Sequence, residues 1–432
     1  MDDSRGAQPE GEPRPLPERG RGRDVVNKLL CVLAVVGIGL SIWAFVQEFI
    51  DLRDRDESRG RITEACGGLI DPDPVLGLNG GGIDRVKISD EYETDLAERS
   101  SGCLVYRVGE PGTTYGHFSM AVLRRSAEPE ADETEADRTE IDETSDEPFR
   151  RPYGDEDRTT GPVLNHALPH PLGDGRLGEY DEYKVTARAL CEKGGALSSI
   201  EVSAVAQYDE RVTPEDRRTL AVLARQGADR AAGRTGCRAE LPELPATLAA
   251  PATEFGAPAS TGGTCAWYQR FLATEERGQL PDRALAAPAG KASDHDACLL
   301  TVGEKETRRI YPGFVKTSDY PQSLDNVLTY FPWWVKTETY VGDGTRGLRT
   351  AHFKQPTELT PGTAGTDSGQ IWWASSVCSG RPALHVMWVS YPYDRIAADR
   401  LRTLFRAYVD DATERRGCTG TVHPDAADFP KR

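Results

Sequence analysis

Two adjacent tryptophan pairs, Trp333–Trp334 and Trp372–Trp373, are the residues of this chain best suited to holding a ligand, because an indole face stacks well on a sugar, a glycan strand or an aromatic ring. On a strand, neighbouring residues point to opposite faces, so one indole of each pair can pack inside while the other is presented. Core packing is the competing reading, and the bulk of the rings favours it. The ring positions remain the first place to look for a candidate ligand-stacking surface.

Other motifs carry less chemistry. Gly342, Asp343, Gly344 and Gly347 form G-D-G-x-x-G, and Gly173, Asp174, Gly175 and Gly178 repeat it. A phosphate-binding loop needs a buried strand before it and a helix after it, and neither pattern is present, so a repeated turn is expected. His166 and His170 are close, but Pro169 between them breaks helical spacing and no cysteine or carboxylate completes a metal set. Neither G-x-S-x-G nor H-E-x-x-H occurs. His385 falls in an apolar strand segment and reads as a packed histidine. No catalytic, cofactor-binding or metal-ligating residue is therefore assigned.

The elements that would position these residues begin with an uncharged apolar run from Leu29 to Val46, extended by Phe49 and Ile50. At about 1.5 Å per residue it can cross a hydrocarbon core of roughly 30 Å, so a transmembrane helix is expected over 25–50. Arg19, Arg21, Arg23 and Lys28 precede it and favour a cytoplasmic N-terminus, although Arg53, Arg55, Arg59 and Arg61 follow. A cleaved signal peptide is the alternative, and its n-region would be unusually long. Cys31 lacks the small residues of a lipoprotein box. Residues 1–24, rich in Pro, Gly, Glu and Arg, read as a disordered cytoplasmic tail.

Beyond the apolar run, the chain carries an internal match. After Cys191, residues Ala196, Leu197, Val202 and Ser203 recur at the same offsets after Cys378 as Ala383, Leu384, Val389 and Ser390. Counting back from Cys237, Gly236, Arg234, Asp229, Arg225, Leu223 and Leu220 match Gly417, Arg415, Asp410, Arg406, Leu404 and Leu401 before Cys418. Each copy reads as a strand and a returning helix: Ile200, Val202, Ala204 and Ala206 alternate with polar neighbours, and Thr213 caps a helix that opens at Pro214. A strand of about 11 to 13 residues and a helix of about 21 have comparable lengths, so the return brings Cys191 to Cys237 and Cys378 to Cys418. The remaining outer cysteines pair sequentially, Cys66 with Cys103 and Cys265 with Cys298. Each bridge would contribute about 3 to 4 kcal/mol in the chain-entropy model. Disulfides demand an oxidising compartment, which assigns this region to the outer side of the membrane.

The expected class is α+β: one N-terminal transmembrane helix, then two tandem repeat domains, each a mostly antiparallel sheet packed by a C-terminal helix. Domain one covers 60–238 with an acidic disordered insertion at 126–160. A Pro/Ala-rich linker follows at 239–262, then domain two at 263–420 and a tail at 421–432. Cys265, Ala266, Trp267 and Tyr268 are expected to open domain two as an apolar strand. The net charge of −17 over 432 residues, with no basic stripe, argues against nucleic acid as a partner.

The segments C-G-G-L-I (Cys66–Ile70), T-C-A-W-Y (Thr264–Tyr268), W-W-A-S-S-V-C (Trp372–Cys378) and F-R-A-Y-V-D-D (Phe405–Asp411) resemble a group of two-repeat, membrane-anchored actinobacterial proteins of unknown function. The resemblance covers most of the outer region and implies an envelope protein. It supplies no catalytic residue. A looser similarity links the chain to small actinobacterial lipoproteins with one cysteine-rich α+β unit. The favoured reading is a membrane-tethered extracytoplasmic binding or interaction protein with no cofactor, its partner an envelope glycan, a small ligand or a membrane protein. A cell-wall-directed hydrolase and a structural partner in a membrane complex are the alternatives.

Overall fold

The computed structural model describes residues 21–83, 85–90, 92–109, 112–127, 140–141, 159, 168–192, 195–290, 292–317, 321–350 and 357–430. The expected N-terminal tail lies outside these residues except for its last four, which are helical, and so do most of the acidic insertion and His166. The chain divides into two compact units, Met1–Glu57 and Ser58–Arg432.

The described residues of the first unit are helical. Helix α1 runs from Arg21 to Ala65, well past the 25–50 expected from the apolar run. The reason is that Asp51 to Arg61 contains helix-compatible charged residues and no proline, so nothing stops the helix where hydrophobicity stops. It ends where Gly67 and Gly68 take the left-handed conformation, with φ of 59° and 62°. Residues 25–46 are all exposed, and the helix is long and apolar enough to cross a membrane.

The second unit is α+β and built on two antiparallel sheets, with a short parallel pair formed by β4 (Glu140–Ile141) and β12 (Arg349–Thr350). The first sheet has the order β1 (Val86–Ile88), β2 (Ser100–Val108), β3 (Thr114–Ser126), β8 (Leu197–Ala206), β7 (Lys184–Leu190), β6 (Gly178–Tyr180) and β5 (His170–Pro171). One face is apolar: Val105, Phe118, Met120, Val185, Ile200 and Val202 share a core with helices α2 (Pro72–Gly77) and α3 (Pro214–Thr235). Thr213 caps α3 by accepting the Asp216 amide at 3.0 Å, and Gly236 ends it at φ 73°. Midway along α3, a Cβ at Gly227 would meet Val202 Cγ1 at 2.9 Å, so a residue without a side chain lets helix and sheet approach closely. The opposite face of the sheet is polar and carries Arg125, Arg188 and Glu201.

The second sheet has the order β13 (Gly365–Asp367), β14 (Ile371–Cys378), β15 (Arg381–Val389), β11 (Trp334–Val341), β10 (His295–Thr301) and β9 (Arg283–Ala286), with β16 (Cys418–Val422) pairing the end of β14 that β13 leaves open. Here both faces are buried. One shares a core with α4 (Ala266–Thr274), α5 (Glu304–Thr317), α6 (Leu324–Thr329), α7 (Tyr393–Ile396) and α8 (Ala398–Arg416). The other lies under Leu168, Leu348 and Leu359. The segment expected as a strand at Cys265–Tyr268 is a 3-10 turn followed by α4. Trp267, Tyr268 and Phe271 are its buried residues, a spacing that one helix face accommodates and a strand does not.

Four disulfides close the second unit: Cys66–Cys103, Cys191–Cys237, Cys265–Cys298 and Cys378–Cys418, with Cα separations from 4.0 to 5.1 Å. Cys31 on α1 is free and exposed. The Pro/Ala-rich connector packs along the first core through Leu241, Leu244 and Leu248, and Arg225 donates to the carbonyls of Leu241 and Pro242. The last residues are more than a tail. β16 adds to the sheet, and Phe429 is buried, stacked on Trp372 at 5.5 Å with planes 3° apart. Trp372 Nε1 also donates to the Asp428 carbonyl at 3.0 Å. Replacing Phe429 by Ala is expected to cost roughly 3 to 5 kcal/mol in urea unfolding of the full chain. A loss below about 1 kcal/mol would mean that the C-terminal segment is not part of the core.

Candidate functional site

The tryptophans were the foremost sequence candidates, and none is presented to solvent. Trp333 and Trp372 are fully buried on the helix-covered face of the second sheet, where Trp333 stacks on Tyr393 with ring centroids 6.0 Å apart. Trp334 and Trp373 lie on the opposite face, 5% and 7% exposed, and Trp334 meets Trp388 edge-on. Strand alternation does divide each pair between two faces, but both faces are covered. The two G-D-G-x-x-G segments lie in the β5–β6 connection and in the 3-10 turn after β11, and neither opens an α-helix. His170 is a buried residue of β5.

The second sheet also assembles a hydroxyl–imidazole chain across its helix-covered face. Ser376 Oγ lies 2.8 Å from His385 Nε2, His385 Nδ1 lies 3.1 Å from Thr339 Oγ1, and Thr339 Oγ1 lies 2.7 Å from the Tyr408 hydroxyl. A hydroxyl within reach of an imidazole is the first requirement for nucleophile activation. Three features oppose that use. The orienting group is a threonine hydroxyl, not a carboxylate. His385 is fully buried and Ser376, Thr339 and Tyr408 are 4% exposed or less. Burial, then the charges of Arg416, His423 and Arg415, push the His385 pKa down to about 3, leaving a neutral and feeble base. What the chain does is satisfy four buried polar groups between β11, β14, β15 and α8.

A second constellation lies where the first sheet meets the second. His295, the first residue of β10, stands between two carboxylates: its Nδ1 is 3.3 Å from Glu179 of β6 and its Nε2 is 3.3 Å from Glu338 of β11. Its ring stacks on Tyr340 at 4.4 Å, and Lys336 Nζ reaches Glu338 at 2.9 Å. Beside it Arg188 of β7 bonds Asp294 at 2.5 Å and faces Glu201 at 3.1 Å, and Arg381 reaches the second oxygen of Asp294 at 2.7 Å. Every cation of the seam faces a carboxylate. Its chemistry is ionic cross-linking of the two sheets, and no group of three or more His, Cys, Asp or Glu among the described residues is arranged to hold a metal.

None of these seam residues was singled out from sequence. The available signal was the placing of charges two apart within apolar strands, as in Lys336-x-Glu338, which assigns both to one face. The partners themselves are far apart in the chain, so no local pattern reveals that the charges meet.

Electrostatics give the seam a pH window. Burial alone would lower the His295 pKa, but Glu179 and Glu338 outweigh it and raise it from 6.5 to about 9. Its stabilising contribution is complete below the unfolded value of 6.5 and is lost as pH rises through about 9. Glu179, which burial alone would raise, is held down from 4.5 to about 2 by His295, so its share is present above 4.5 and lost as pH falls through about 2. Between pH 6.5 and 9 the wild-type chain is expected to lose up to about 3 kcal/mol more stability than His295→Gln, at about 1.4 kcal/mol per pKa unit. Parallel pH profiles of the two proteins in denaturant unfolding would remove His295 from the bridge. Compared with known proteins, the chain matches no family model, no curated protein and no solved structure.

Proposed function

We propose that this chain is a membrane-tethered, extracytoplasmic binding or interaction protein of the cell envelope. The carrying observation is that one chain combines an apolar helical stretch with no protein cover and a folded region closed by four disulfides. Uncovered apolar surface of that length favours hydrocarbon, and disulfides persist where thiols are oxidised. Together they favour a single pass with the basic N-terminal segment in the cytoplasm and the disulfide-bonded bulk outside.

The folded bulk is read as two copies of one unit, domains 60–238 and 263–420 joined by 239–262. The order β1-β2-β3-β8-β7-β6 corresponds strand for strand to β9-β10-β11-β15-β14-β13. Cys103 in β2 and Cys298 in β10 take equivalent places, each bridged to a cysteine ahead of its sheet. Cys191, just after β7, and Cys378, the last residue of β14, each join a cysteine just beyond α3 or α8. This correspondence supports the resemblance to two-repeat, membrane-anchored actinobacterial proteins. It also favours α3 and α8 as equivalent covering helices.

The hydrolase reading has less support, because the Ser376–His385 pair is sealed and weakly basic. A partner is better sought among envelope glycans, small ligands and membrane proteins than among cleaved substrates. Protease added to intact actinobacterial protoplasts expressing the full chain is expected to degrade the region beyond residue 60 while sparing an N-terminal epitope. Non-reducing mass spectrometry of the same preparation should return the four bridges. Protection of the bulk in intact cells, or eight free thiols, would overturn the placement. Cell-wall hydrolysis by the wild type that vanishes in Ser376→Ala would instead establish the enzyme.

A further inference from the structure

At the outer edge of the first sheet, His170 of β5 and Tyr180 of β6 are cross-strand partners with ring centroids 5.4 Å apart. The charge of Arg217, near the start of α3, acts on both. Arg217 is a buried cation, 3% exposed, with a single acceptor among the described residues: its Nη2 donates to the Val212 carbonyl at 3.3 Å. Among the described residues its Nε and Nη1 are buried without a partner, and so are both ring nitrogens of His170, which is also 3% exposed.

The carboxylates around Arg217 are committed elsewhere. Asp181 accepts the amides of Tyr183 at 2.9 Å and Lys184 at 2.8 Å, and Glu182 faces Arg211 at 4.0 Å. Asp216 accepts the Thr213 hydroxyl at 2.9 Å and the Asn79 amide at 3.2 Å. Desolvation holds the Arg217 pKa below its ordinary value and outweighs the opposing influence of Tyr180, Glu182 and Asp181, none of which is within ion-pair reach of it among the described residues. Burial likewise pushes His170 down to about 4, so at neutral pH it is an uncharged imidazole with one N–H to donate. Idle donors on a buried guanidinium are costly, and proteins retain such groups where something else accepts from them.

We infer that Arg217 and His170 form a binding site for a small oxyanion, a carboxylate or phosphate group that accepts from the idle Arg217 donors and from the His170 ring. The connector between the two halves borders the site, since the Tyr180 hydroxyl donates to the Ala249 carbonyl at 3.2 Å. An anion on Arg217 completes the charge balance that the protein's own carboxylates leave open.

The test uses the full chain in detergent, titrated with sodium phosphate or sodium acetate against sodium chloride at matched ionic strength. At least one oxyanion is expected to raise the thermal midpoint saturably by about 2 to 4 °C, with chloride inert. A response to acetate alone identifies a carboxylate site, and a response to phosphate identifies a phosphate site. Arg217→Gln should abolish the shift and Arg217→Lys should keep part of it, because a point cation replaces only some of the guanidinium donors. Equilibrium dialysis of the wild type with radiolabelled phosphate and acetate gives a readout that does not depend on a variant folding. Retention of neither anion, or an undiminished shift in Arg217→Gln, overturns the proposal, as does a structure at high anion concentration with only water on Arg217.

Discussion

A strand must send consecutive side chains to opposite sides, and the second sheet buries both sides. This constraint accounts for most of what surrounds it. Trp333 and Trp372 need a cover on one face, which the helices and Phe429 supply. Trp334, Trp373 and Trp388 need another on the reverse, which comes from long connections bearing Leu168, Leu348 and Leu359. Adjacent tryptophans are therefore a signature of a two-sided core, and the rings that look most available for recognition in the sequence hold the layers together.

The first sheet solves a different problem. Its helix side is apolar, while its other side is charged, and the charges are answered across the seam by residues of the second sheet. Arg188 meets Asp294 and Glu179 meets His295 over more than one hundred residues of sequence. Buried ion pairs of this kind favour one mutual arrangement more than they add net stability, because desolvation offsets much of the attraction. The seam thus specifies how the two sheets meet, and the apolar cores supply the cohesion.

How much could be read from residues alone follows from which interactions are local. The β8 and α3 pairing was legible because alternation from Ile200 to Ala206, a capping threonine and Pro214 each act within a few residues. The Cys191–Cys237 bridge was legible because chain lengths return one end to the other. Cys265–Tyr268 misled because a short apolar run fits either a strand or a buried helix face. Phe429 is a lone aromatic among polar neighbours, and only its tertiary partner Trp372 gives it a role. The same holds for Arg217, whose Nε and Nη1 lack an acceptor among the described residues, because unmet hydrogen bonds have no sequence pattern.

The position of Phe429 and β16 also dictates an order of events. The first sheet has its helix and both of its bridges once residue 237 is in place. The second sheet lacks an edge strand, a bridge partner at Cys418 and the ring that covers Trp372 until residues 418–429 have been added. Synthesis from the N-terminus therefore completes the first sheet while Glu179 still lacks His295 and Arg188 has Glu201 but still lacks Asp294. Strand β16, Cys418 and Phe429 are thus the last pieces of the second core to become available.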